Sequence, residues 1–225
     1  MTKKQKLYFV FINAFIFITT FIAVPLTLII GSRSTRLDGI TEFAPWQHIV
    51  TFTILSNIFL GLIAFVAFIL GLKSIHNSKT IKPTFLTWYL TASSAAMVTC
   101  FTVLLFLAPM RAANGKNYFD MILETMFFLH FFNPILSAVA FIFFTGSHKL
   151  SKRAKIIATL PIIIYAVPYL INVVFLHIWP DFYGITFGGN YFITPIVFVV
   201  FWVLIFTVAS LLVFFRNKTS HKALS

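Results

Sequence analysis

The chain has 225 residues, of which 60% are hydrophobic and only 10% charged, against about 25% charged in a soluble domain. A soluble globule of this size cannot hide that much apolar side chain, so soluble enzymes and disordered chains are excluded and a single all-α membrane domain over residues 1–225 is expected. The formal charge of +12 is read by position, as a topology signal and not as a nucleic-acid footprint. The lone cysteine, Cys100, excludes an intramolecular disulfide, and no cysteine or histidine spacing marks a metal site or calls for a cofactor.

Six apolar stretches follow one another at about 7–31, 47–72, 84–109, 123–146, 156–178 and 192–215. Each is close to the roughly 20 residues that a bilayer-crossing helix needs. Their connections reach only about 13–15 residues, short enough for hairpins in one bundle. The first stretch follows Lys3, Lys4 and Lys6, which resemble a signal-peptide n-region. Its apolar run is too long for an h-region and no A-x-A site follows, so it reads as a retained helix.

Thirteen basic residues fall at one end of this pattern: Lys3 to Lys6, the second loop (Lys73, Lys79, Lys82), the fourth loop (Lys149 to Lys155) and the C-terminus (Arg216, Lys218, Lys222). Arg33, Arg36, Arg111 and Lys116 fall at the other end, with all five acids, Asp38, Glu42, Asp120, Glu124 and Asp181. The positive-inside rule then predicts N-in and C-in topology. The basic cytoplasmic face is expected to attract anionic lipid. Trp46, Trp88, Tyr89 and Trp179 mark interfaces, and the 30 phenylalanines read mostly as lipid-facing filler. Their abundance fits an AT-rich genome, so the expected location is a bacterial plasma membrane. Nothing in the sequence fixes an oligomeric state.

No charged residue lies deep in a span, apart from Glu124 at the mouth of the fourth. Ion-coupled pumps and voltage sensors place ionisable groups at mid-membrane, so their absence lowers that reading. Uncharged polar groups remain. Span two opens Gln47-His48-Ile49-Val50-Thr51-Phe52-Thr53-Ile54-Leu55-Ser56-Asn57, span three carries Ser93, Ser94, Thr99 and Thr102, span four reads Leu129-His130-Phe131-Phe132-Asn133-Pro134, and span five carries Asn172. At 1.5 Å of rise per residue, Thr53, His130 and Asn172 lie about 9–10 Å below the acid-bearing end of their spans. Ser56 and Asn57 share the Thr53 face, and Asn133 shares that of His130.

Each has a structural alternative: hydroxyls bond back to their own helix, and amides glue helices together. His130 is the exception, since an intramembrane ionisable residue points to function by default. Pro134 lacks the N–H that would bond the carbonyl of His130, so the helix is expected to kink or open there. Pro161 and Pro168 disturb span five in the same way, beside Tyr165 and Tyr169. A hydroxyl and an imidazole are the minimum for nucleophilic acyl transfer. Ser56, Asn57, Asn133 and Asn172 are candidate oxyanion donors or polar support. With no carboxylate inside the spans, an amide, a backbone group or Glu124 would orient the imidazole.

Phe52-Thr53-Ile54-Leu55-Ser56-Asn57 and His130-Phe131-Phe132-Asn133-Pro134 resemble the six-helix family of androgen-induced membrane proteins, most closely its bacterial branch. Animal members hydrolyse fatty-acid esters of hydroxy fatty acids with a threonine and a histidine. The resemblance implies Thr53 as nucleophile, with Thr51 a competing alignment, and His130 as its base, acting on a lipid ester drawn from the bilayer. Family members carry aromatic-Tyr-Pro-Phe before the last span, whereas this chain reads His177-Ile178-Trp179-Pro180-Asp181-Phe182-Tyr183-Gly184. Two other readings stand beside hydrolysis: a facilitator or permease for a small neutral solute, and a non-catalytic membrane scaffold. No inverted repeat relates spans 1–3 to spans 4–6, which disfavours a transporter of common design.

The topology is testable with single cysteines in intact cells. A cysteine at position 40 should react with an impermeant thiol reagent and one at position 77 should not; the reverse pattern would overturn the orientation.

Overall fold

The computed structural model describes residues 1–31, 45–77, 80–115, 117–123, 125–146, 148, 150–186 and 192–222. Asp38, Glu42, Glu124, Arg33, Arg36, Lys79, Lys116 and Lys149 lie outside the described residues, as do the side chains of Trp46, Arg111, Asp120 and Lys222. Every regular element among the described residues is helical. In chain order they are α1 (Lys3–Gly31), α2 (Pro45–Ile49), α3 (Phe52–Asn77), α4 (Pro83–Thr102), α5 (Ala108–Ala113), α6 (Thr125–Phe127), α7 (Asn133–Phe144), α8 (Lys152–Ile157), α9 (Leu160–Tyr169) and α10 (Ile193–Lys222). Three π-helical segments, Val103–Leu107, Phe128–Phe132 and Leu170–Phe175, and one 3-10 turn, Tyr118–Met121, lie among them.

Five helical stretches are long and apolar enough to cross a membrane: Lys3–Ile29, Phe52–Asn77, Pro83–Met110, Lys152–Phe175 and Ile193–Thr219. The apolar helix Phe128–Phe144 is shorter, at about 26 Å by its rise per residue. Large apolar side chains are exposed along the flanks, among them Phe11, Leu105, Ile164, Phe175 and Ile196. Such exposure suits hydrocarbon and not water. A bundle built for a membrane is therefore what the helices define.

At the centre stands α4. Its run Thr91-Ala92-Ser93-Ser94-Ala95-Ala96 is buried throughout. Small side chains on every face let neighbours approach from all sides, which is how membrane helices pack without a hydrophobic drive between them. α3, α7 and α10 surround it. Not every phenylalanine faces lipid: Phe9 and Phe141 are fully buried around Tyr89, whose ring stacks on Phe141 with centroids 6.2 Å apart.

The α1–α3 pair depends on a stripe of small residues, Gly61, Ala64, Ala67 and Gly71, all buried. A Cβ on Gly61 would meet Thr20 Cγ2 at 2.9 Å, and one on Gly71 would meet Val10 Cγ2 at 2.6 Å. Polar ties add to this packing. Thr19 Oγ1 donates to Asn133 Oδ1 at 2.8 Å, and Asn133 Nδ2 donates to Thr20 Oγ1 at 3.1 Å, so the Asn133 amide joins α1 to α7.

The basic end of the bundle is tied from within. Lys6 Nζ donates to the Ser74 carbonyl at 2.6 Å. Arg216 is fully buried. Its Nε donates to Thr145 Oγ1 at 2.7 Å, its Nη1 to the His148 carbonyl at 2.6 Å, and its guanidinium lies 5.4 Å from the centre of the Phe141 ring.

Over-packing a close helix contact costs about 1–3 kcal/mol. Gly61→Val and Gly71→Val should each lower the thermal midpoint in detergent. A midpoint unchanged in both variants would mean that the stripe does not set the α1–α3 distance.

Candidate functional site

Thr51 begins the site by capping α3. Its Oγ1 donates to the His48 carbonyl at 2.8 Å and accepts the Ile54 N–H at 3.4 Å, as an N-cap hydroxyl does. The first N–H groups of a helix have no partner within it. That of Phe52 donates to the Tyr183 phenol oxygen at 2.8 Å. The same phenol lies against the backbone N–H and hydroxyl of Thr53 and against Tyr165.

Thr53 is half-buried and lines a small chamber of about 30 Å³. Thr99, Thr102, Tyr165 and Tyr183 bring further hydroxyls to its wall, and the rest is apolar. The Thr102 hydroxyl is buried with no hydrogen-bond partner among the described residues.

Two larger cavities flank this chamber. One, of about 380 Å³, lies between α3, α4 and α9, walled by Leu55, Phe59, Trp88, Leu160 and Ile164. Phe52 and Tyr165 line both it and the chamber, with ring centroids 5.3 Å apart, so this pair stands between the two spaces. The other, of about 300 Å³, lies between the Phe101–Phe106 stretch and α10, and shares Thr102, Ile185 and Phe201 with the chamber. Trp88, Ile164, Leu105 and Ile196 are exposed on the flanks of the bundle, so both cavities meet the surface where lipid would lie.

The segment after α9 closes the chamber at the acidic end. His177 has a positive φ of 54°. The N–H groups of Ile178 and Trp179 then both reach back to the Asn172 carbonyl, at 2.8 and 3.1 Å, in the manner of a left-handed helix cap. Asn172 Nδ2 donates to its own helix, to the Pro168 carbonyl at 2.8 Å.

Asp181 organises the rest of this loop. Tyr169 Oη and the Ile185 N–H donate to Oδ1, the latter at 2.9 Å; the Thr186 N–H and Oγ1 donate to Oδ2, each at 2.8 Å. Burial alone would raise the Asp181 carboxyl, but these donors outweigh it and hold the group below its ordinary value. Fixing Asp181 places Tyr183 two residues on. Burial pushes the Tyr183 phenol above its usual range, so it stays protonated.

The other candidates surround the Thr53 backbone. Ser56 Oγ donates to the Thr53 carbonyl at 3.1 Å and lies 3.1 Å from Thr99 Oγ1. Asn57 Nδ2 bonds the same Thr53 carbonyl at 2.9 Å and crosses to the Leu129 carbonyl at 3.0 Å. The Phe128–Phe144 helix widens into a π-turn ahead of Pro134. That turn carries the Asn133 N–H to the carbonyl of Phe128, one residue further back than in an α-helix, so in this register the N–H that Pro134 lacks is the one that would reach Leu129. Asn57 supplies the donor that Pro134 lacks.

His130 is buried in that π-segment. It lines none of the three cavities. Thr53 and His130 are thus joined through Asn57, which grips the carbonyl of one residue and that of the other's neighbour. Among the described residues no cluster of three His, Cys, Asp or Glu side chains could hold a metal ion.

Sequence reading missed Tyr183, Asp181 and Thr186. The signal available was the single acid Asp181 in a short aromatic loop, and its partners come together only in the fold. No protein-family model, curated protein or solved structure matches the chain.

Hydrogen bonds to a charged acceptor are worth about 1.5–3 kcal/mol each in net terms. Asp181→Asn should lower the thermal midpoint at pH 7 by roughly 3–8 °C. Because the folded carboxyl lies below the unfolded value of about 3.9, its contribution is complete at neutral pH and is lost as the pH falls through the folded value. The gap between wild type and variant should therefore narrow below about pH 4; a gap constant with pH would mean that Asp181 is not the charged acceptor.

Proposed function

We propose that the chain is a membrane-embedded threonine hydrolase that cleaves a lipid (fatty-acid) ester. Thr53 serves as nucleophile and His130 as its base, in a six-span, N-in/C-in bundle whose fourth span includes Phe128–Phe144. The site-motif resemblance to the androgen-induced membrane proteins belongs to this reading, as does a bacterial plasma membrane with anionic lipid at the basic face.

The carrying observation is that Thr53 lines a small chamber flanked by two apolar cavities whose walls include exposed apolar side chains. An ester whose hydrocarbon lies in a flanking cavity can present its carbonyl to Thr53 without crossing water. Thr51 is the weaker nucleophile, because its hydroxyl is committed to the α3 cap.

In the proposed reaction Thr53 Oγ attacks the ester carbonyl carbon, and its proton passes to His130. The tetrahedral intermediate collapses, and the leaving alcohol takes the proton from His130. Water then cleaves the acyl-threonine, with His130 again as base. The reading requires the imidazole, which lines none of the three cavities, to reach Thr53 in the substrate complex. Catalytic hydrogen bonds often tighten only in the substrate complex.

Activity of the purified protein on a long-chain nitrophenyl ester provides the test. Thr53→Ala and His130→Ala should each lower the rate by at least ~10²-fold, and the double variant should be no slower than either, since the pair acts as a unit. Thr53→Ser keeps the hydroxyl and should retain measurable activity. Full activity in Thr53→Ala would overturn the reading and leave a solute facilitator as the better account.

A further inference from the structure

Acyl transfer at Thr53 places a negative charge on the substrate's carbonyl oxygen, and that charge needs a donor inside the chamber. The obvious amides are committed elsewhere. Asn133 bridges Thr19 and Thr20, Asn172 bonds the Pro168 carbonyl, and Asn57 spans the carbonyls of Thr53 and Leu129.

Tyr183 is placed differently. Its oxygen accepts the Phe52 N–H at 2.8 Å. A phenol has one O–H to donate, so accepting from Phe52 leaves that proton for Thr53 Oγ, Tyr165 Oη or a ligand atom in the chamber that all three residues line. The oxygen also lies against the Thr53 N–H and hydroxyl, beside the atom to which a carbonyl carbon would become bonded. The unpartnered Thr102 hydroxyl lines the same chamber, which marks a place for a polar ligand atom there. The Asp181 anchor, with its donors Tyr169, Ile185 and Thr186, fixes the loop that carries Tyr183. The ring is further held against Tyr169, with centroids 6.1 Å apart.

We propose that Tyr183 is a catalytic residue of this site, the donor that stabilises the oxyanion formed on the substrate carbonyl when Thr53 attacks; this rests on the threonine-hydrolase reading. As the Thr53 Oγ–carbon bond forms, the π-electron pair of the carbonyl moves to its oxygen, and that oxygen accepts a hydrogen bond from Tyr183 Oη–H. When the intermediate collapses the pair returns, the carbon–oxygen bond to the alcohol breaks, and Tyr183 keeps its proton throughout. The Phe52 N–H, at the positive end of the α3 dipole, draws electron density from the phenol oxygen and makes its O–H a better donor. Burial that keeps the phenol neutral serves the same end.

The test is steady-state kinetics on a long-chain nitrophenyl ester with the full chain in detergent. Tyr183→Phe keeps the ring and removes the donor. It should lower kcat by ~10²–10³-fold and leave KM within a few-fold. A second variant carries 3,5-difluorotyrosine at position 183, a more acidic phenol of nearly the same shape. Since activity requires the protonated phenol, the alkaline limb of the kcat–pH profile should move to lower pH. A phenol that only packs the loop would leave that limb in place, even where Tyr183→Phe fails to fold. If Thr53→Ala is inactive while Tyr183→Phe keeps more than a tenth of kcat, or if the limb does not move, Tyr183 is not the donor and the hydrolase reading stands. If Thr53→Ala is fully active, the hydrolase reading falls and this inference with it.

Discussion

In hydrocarbon a backbone carbonyl that loses its N–H partner must find another donor inside the protein. Prolines create two such carbonyls near the acidic end of this bundle. Pro134, following the Phe128–Phe132 π-turn, leaves Leu129 without a donor, and Asn57 of α3 reaches across to it. Pro109, following the Val103–Leu107 π-turn, does the same to Leu104, and Tyr118 Oη donates to that carbonyl at 2.8 Å. The first of these repairs draws α3 against the Phe128–Phe144 helix, and Asn57 at the same time grips the carbonyl of Thr53. The position of Thr53 therefore depends on a proline in another helix.

The same logic explains why the polar atoms gather. Asn133, Ser56, Thr99 and Asn57 turn inward because lipid offers them nothing, and each finds a backbone or side-chain partner on a neighbouring turn or helix. The space around the resulting chamber is apolar on both sides, and the two large cavities lie between helices whose outer faces are exposed leucine, isoleucine, phenylalanine and tryptophan. Polarity at the centre and hydrocarbon-like walls around it suit a ligand with a polar linkage between apolar parts. In the proposed function that linkage is an ester.

Much of the helical frame was legible in the chain itself. The third apolar stretch, expected at 84–109, corresponds to Pro83–Met110, because Pro83 starts the helix and no charged residue interrupts the run that follows. The second starts at Phe52 and not at residue 47, since the Thr51 side chain caps there and separates Pro45–Ile49 as its own short helix. The fourth gives an apolar helix of Phe128–Phe144, continued by Thr125–Phe127 at its start, shorter than the stretch from 123 to 146 because Leu123 lies in a bend and Gly146 takes a positive φ. Hydropathy does not record a cap or a π-turn, so these boundaries were not readable.

Long-range polar closure was not readable either. Arg216 reads as one of the charges that orient the chain, yet it is buried against Thr145 and the His148 carbonyl, some seventy residues away. Asp181 reads as a loop acid, yet it gathers four donors. Thr53 stands out in the sequence by residue type and depth, whereas Tyr183, 130 residues on, gives no such signal, and only the fold sets the two in one chamber wall. Whether Thr53 is the nucleophile is decided by mass spectrometry of the detergent-purified protein after treatment with a fluorophosphonate carrying an alkyl chain. The expected result is a phosphonyl adduct on Thr53 that is absent when excess long-chain ester is present; an adduct mapped to another residue, or none on protein that still hydrolyses the ester, would contradict the proposed role of Thr53.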